Sequence, residues 1–76
     1  MISACVLVRC KAGKIRRVAE RVKEIEGVVR VFTAAGRWDV VAEIEAADLK
    51  SLTNIALKIN KLPNILATET LVEAEM

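Results

Sequence analysis

The stretch Ile2 to Cys10, ISACVLVRC, constrains this chain more than any other segment, because the strand it predicts is apolar on both faces. Ala4, Val6 and Val8 project to one side of such a strand, Cys5 and Leu7 to the other. A sheet built around it needs cover on both sides. The sequence is 76 residues long, which predicts one domain spanning 1–76, since a chain of this size buries only about 60% of the surface its unfolded form exposes. Apolar residues make up 54% of it, more than so small an interior holds, and the surplus predicts burial between copies in an oligomer.

The periodicity of the remaining residues supplies the other elements. After the break at Lys11-Ala12-Gly13, Ile15, Val18, Ala19, Val22 and Ile25 recur at helical spacing, with Gly27 as the expected C-terminal stop. Val28 to Thr33 and Trp38 to Glu45 read as strands, the second placing Trp38, Val40, Ala42 and Ile44 on one face. The short, glycine-containing link Ala34-Ala35-Gly36-Arg37 makes them an antiparallel hairpin. Asp48 is a suitable N-cap for a second helix carrying Leu49, Leu52, Ile55, Ala56 and Ile59, which Pro63 is expected to end at Leu62. Ile65 to Ala74 reads as the last strand. KEIEGVVRVF and NKLPNILATE echo each other, each joining a helix end, a Gly or Pro break and a strand. The expected fold is therefore α+β, a ferredoxin-like βαββαβ sandwich with a four-stranded antiparallel sheet and two helices on one face. The other face stays open in a monomer, and dimerisation through it would supply the missing cover.

Several functions are excluded by residue type. The chain has no His and no Tyr, which removes the commonest general base and metal ligand, so no catalytic residue, no metal and no cofactor is assigned and the chain is read as a non-enzyme. Cys5 and Cys10 are an odd number of residues apart on one strand, so they point to opposite faces and neither bridge nor share a metal; both read as small buried hydrophobes. Phe32 and Trp38 are the only aromatic residues, too few for a sheet that stacks RNA bases. Residues 1–38 hold nine Lys/Arg against three Glu, and residues 39–76 three Lys against seven acids, an asymmetry that steers subunits together or keeps helix faces wet. With a net charge of +2 and no membrane-length apolar run or leader pattern, the chain reads as soluble and cytoplasmic, with no membrane partner and no direct contact with nucleic acid.

What remains is the hairpin Gly36-Arg37-Trp38-Asp39 and the polar Thr68-Glu69-Thr70 of the last strand. A free amino acid needs main-chain N–H donors for its carboxylate, an acid or carbonyls for its ammonium, and an apolar wall. Gly36 permits close backbone approach, Asp39 offers a counter-charge and Trp38 a wall. The same residues also suit an ordinary hairpin whose Trp fills core and whose Asp caps the turn.

The opening Ala4-Cys5-Val6-Leu7-Val8 leading to Gly13, the EIEGV segment from Glu24 to Val28, the Gly36-Arg37-Trp38-Asp39 turn, and Leu62-Pro63-Asn64-Ile65 before Thr68-Glu69-Thr70 follow one another at the intervals of a known family. In these, from about Ser3 to Val72, the chain resembles the C-terminal effector-binding (RAM) domain of Lrp/AsnC transcriptional regulators. The turn matches that family's Gly-x-aromatic-Asp. The resemblance implies a stand-alone form, without the helix-turn-helix its members usually carry, that senses an amino acid or similar small effector and assembles as a homodimer and higher oligomer. It implies Gly36, Arg37, Trp38, Asp39, Thr68 and Thr70 as the ligand-binding set, at contacts between dimers, and full-length Lrp/AsnC regulators as further partners. The alternatives are a ligand-free structural or subunit-interaction domain, an ACT-type amino-acid-binding domain of the same element order, and a dimeric ferredoxin-like monooxygenase, which the lack of His and Tyr disfavours.

Overall fold

The computed structural model describes residues 1–74, so the last two residues of the expected domain lie outside the described residues. Six elements follow in the order β1 (Ile2–Cys10), α1 (Ile15–Lys23), β2 (Val28–Thr33), β3 (Val40–Ala46), α2 (Leu49–Asn60) and β4 (Ile65–Val72). The strands form one four-stranded sheet in the order β2-β3-β1-β4, with every neighbouring pair antiparallel. This is the ferredoxin-like sandwich expected from the sequence.

Alternation along β1 and β3 decides which side is core. Ala4, Val6, Val8 and Cys10 of β1 and Val40, Ala42, Ile44 and Ala46 of β3 are buried, and they meet Val18 and Val22 of α1 and Leu52, Ile55 and Ile59 of α2. All thirteen core residues are aliphatic or cysteine; Phe32 and Trp38 both lie outside that cluster. The intervening residues Cys5 and Leu7 are only half-buried, because no element among the described residues covers the other face. Cys10 is the buried hydrophobe expected, whereas Cys5 faces the uncovered side.

Several boundaries differ from those read in the sequence. α1 ends at Lys23 with Glu24 as its C-cap, and Ile25 reaches the core from the following turn rather than from the helix. Gly27 sits in that turn at φ +98°, immediately before β2. α2 ends at Asn60 rather than Leu62, and Asn64 stands at φ 72°, immediately before β4. These two left-handed residues occupy equivalent places in the two half-repeats: the carbonyl of Gly27 accepts from Glu45 N–H at 3.0 Å, and that of Asn64 from Lys11 N–H at 3.0 Å. β3 starts at Val40, after Trp38 and Asp39, and β4 ends at Val72 rather than Ala74.

The turn and the cap each carry a measurable stability. A Cβ at Gly27 collides with the Ile55 side chain, whereas one at Gly13, φ +82°, meets nothing within 4 Å. Gly13→Ala is therefore expected to lose about 1–2 kcal/mol from backbone strain alone, and Gly27→Ala a further ~1–3 kcal/mol from overpacking, the two compared by urea denaturation. At the start of α2 the Asp48 carboxylate accepts from Ser51 N–H at 2.8 Å, and the hydrogen bonds from Ser51 hold its pKa below the usual carboxylate value. A lowered folded-state pKa means stabilisation that is full above the unfolded value and lost as pH falls through the folded one. Asp48→Ala should therefore lower the urea midpoint at neutral pH, with the gap from the parent closing below about pH 4.

Candidate functional site

One end of the sandwich gathers the loop residues singled out from sequence. The Gly36-Arg37-Trp38-Asp39 turn links β2 to β3, and Ala34 N–H donates to the Asp39 carbonyl at 2.9 Å to close it. Asp39 then ties the loop to β1: its N–H donates to the Val8 carbonyl at 2.8 Å, and its Oδ2 accepts from Cys10 N–H at 2.9 Å. Gly36 is exposed at φ +144°, and a Cβ placed there would meet nothing within 4 Å, so backbone freedom rather than space is what this position uses. Arg37 is exposed and Trp38 half-buried. Trp38 therefore does not join the face shared by Val40, Ala42 and Ile44 as core; it sits on the loop before the strand begins. Asp39 also acts on its neighbour: burial first, and then the Asp39 charge, raise the Cys10 thiol above its ordinary pKa, keeping it a protonated, unreactive side chain at neutral pH.

The strand group lies across β1 from the loop. Val8 pairs with Thr68 and Val6 with Thr70, so both threonines share the helix-side parity of those buried valines, at the open edge of the sheet. Thr68 is half-buried and its Oγ1 accepts from Asn60 Nδ2, at the last residue of α2, at 3.3 Å; Thr70 is exposed. Asp39 and Thr68 thus flank β1 from its two sides at Val8, roughly two strand spacings or ~10 Å apart. Thr70 lies two residues further from the loop, another ~7 Å. The fold brings Asp39 and Thr68 to the same end of the molecule but holds the loop tip and Thr70 apart. Asn60, which positions Thr68, is missed by sequence reading because a polar residue in the last turn of a helix carries no periodic signal.

The uncovered sheet face has its own pattern. Register pairs Cys5 with Glu43 and Leu71, Leu7 with Val41 and Glu69, and Phe32 with Val41, so these side chains share that face. Leu71 is 50% exposed and Phe32 38%. Arg30 donates from Nη1 to Glu43 Oε2 at 3.1 Å and stacks its guanidinium 4.7 Å from the Phe32 ring centre. A groove of about 350 Å³ crosses the far end of the face between Cys5, Val29, Glu45 and Leu71. No group of three or more metal-ligating side chains occurs among the described residues, and no helix among them is long and apolar enough to cross a membrane.

Comparison with known proteins gives a consistent set of likenesses. The family profile of the Lrp/AsnC ligand binding domain matches residues 3–75. HTH-type transcriptional regulator FL11 of Pyrococcus horikoshii is 30% identical over 69 residues, which cover 91% of this chain and 46% of the regulator. The chain thus spans about half the length of the regulators it matches. Among solved structures, TTHA0845 from Thermus thermophilus superimposes with a TM-score of 0.94 at 28% identity, covering 100% of this chain and 96% of that one. Escherichia coli AsnC shares the fold at 14% identity, with a TM-score of 0.89 over 99% of this chain and 52% of its own.

Proposed function

The chain belongs to the Lrp/AsnC ligand-binding domain family, a family of regulatory domains rather than enzymes, and from that premise we propose that it senses an amino acid or similar small effector through ligand-dependent assembly. The observation that carries this reading is the placement of the loop. In a molecule whose core is wholly aliphatic but for one cysteine, the single Trp is held outside the core on a turn fastened to the sheet, beside Gly36 and Arg37. That is an apolar wall and adaptable backbone presented to a ligand, rather than a hydrophobe spent on packing.

The spacing of the two polar groups favours a site between copies. The loop tip and Thr70 lie farther apart than one free amino acid reaches, so Gly36, Arg37 and Trp38 from one copy, on the turn that Asp39 fastens to β1, and Thr68 and Thr70 from another together make the binding set. The uncovered sheet face supports assembly in the same way: Leu7, Phe32, Val41 and Leu71 form an apolar surface that face-to-face packing of two sheets about 10 Å apart would bury. On this reading residues 1–76 act as one cytoplasmic module whose partners are further copies of itself and full-length Lrp/AsnC regulators, and an effector shifts the assembly because it binds one arrangement better than another.

The test is a titration of the purified protein with each of the twenty amino acids, following Trp38 fluorescence together with mass by light scattering. A saturable change with one chemical subset is expected; a flat response to all twenty with unchanged mass would favour a ligand-free subunit-interaction domain instead. For the assembly itself, Leu7→Glu places a charge on the uncovered face and leaves the helix-side core intact. It should give monomers with unchanged far-ultraviolet circular dichroism, and retention of the parent's mass would remove the sheet face from the interface.

A further inference from the structure

Resting on the reading of the loop as an effector site, we propose that Asp39 is a positioning residue of that loop, acting through the hydrogen bond its carboxylate accepts and not through its charge. Backbone groups of Val8 and Cys10 point to the same edge of β1, toward β3. Val8 is the last β1 residue in the β1–β3 ladder, paired with Val40, and the chain turns away from the sheet at Asp39. Cys10, itself buried, would therefore be left with a backbone N–H and no strand carbonyl to receive it. The Asp39 Oδ2 at 2.9 Å stands in for that carbonyl.

The same residue closes the loop with its backbone. Its N–H is held by Val8, its carbonyl by Ala34, and its carboxylate by Cys10, so its main chain and its side chain are all fastened at once. The segment from Ala35 to Trp38 is thereby anchored at its base to the central strand of the sheet. A side chain committed to a backbone donor in this way is not free to follow the ammonium of a ligand, and the attachment needs an oxygen acceptor at this position, not a negative charge. An asparagine keeps the acceptor and discards the charge; an alanine discards both.

The experiment compares the parent with Asp39→Asn and Asp39→Ala by amide hydrogen exchange at Cys10, by Trp38 emission of the unliganded protein, and by the amino-acid titration. Asp39→Asn should keep the Cys10 amide protected, leave Trp38 emission unchanged and hold any amino-acid response within about threefold of the parent. Asp39→Ala should speed exchange at Cys10 by roughly ten- to a hundredfold and shift the Trp38 emission. Loss of the amino-acid response in Asp39→Asn with Cys10 still protected would overturn the proposal, since only the charge has changed. So would unaltered Cys10 exchange in Asp39→Ala. If the alanine variant does not fold, the comparison of Asp39→Asn with the parent decides. If the parent itself answers no amino acid, the effector reading is lost, while exchange and unliganded emission still decide whether Asp39 fastens the loop.

Discussion

The structure depends on one strand being wanted on both sides and covered on one. β1 sits at the centre of the sheet with partners on both edges, and its even-numbered residues fill the interface with two helices. Cys5 and Leu7, on the opposite side, are nearly as apolar, and no element among the described residues covers them. Burying a Leu-sized side chain is worth about 1.5–3 kcal/mol, a large fraction of the roughly 5–15 kcal/mol by which a domain is stable. The uncovered face is therefore a standing source of association energy, and the Arg30–Glu43 pair at its β2 side gives it polar ends that restrict how a second surface fits.

The internal echo between the halves has a physical basis in the turns. Each βαβ half returns from helix to sheet through a residue in the left-handed region, Gly27 in one and Asn64 in the other, whose carbonyl is bonded to the end of a neighbouring strand. Asn tolerates that backbone better than most residues with a side chain, and it suffices at position 64. At position 27 a Cβ would meet the end of the Ile55 side chain of α2, which would have to shift to admit one. The difference ties the turn of the first half to the helix of the second.

Periodicity made the element order, the hairpin and the core faces legible, because each rests on many residues repeating at one spacing. The helix ends were less so. Ile25 continues the apolar stripe of α1 by spacing yet reaches the core from a turn, and Pro63 follows a segment whose last helical hydrogen bond is made by Lys61, with Leu62 already bonded three residues back to Ile59. For the proposed site, Gly36, Arg37, Trp38, Asp39, Thr68 and Thr70 are named by residue type and resemblance. What the residues did not disclose was that Asp39 is engaged by the N–H of Cys10, a contact across 29 positions of sequence. Nor did they disclose that Asn60 holds Thr68, since both are single hydrogen bonds without a repeat to announce them.

The strand order β2-β3-β1-β4 also has a consequence for how the chain comes to be folded. Only β2 and β3 pair with their immediate neighbour in sequence; β1 waits for β3 more than thirty residues later and for β4 more than fifty. During synthesis an apolar, β-prone segment therefore stands with both edges unpaired until these later strands arrive. Such non-local closure slows folding, and it leaves the segment exposed to pairing with other chains in the meantime. The strand that organises the finished molecule is thus also its main hazard on the way there.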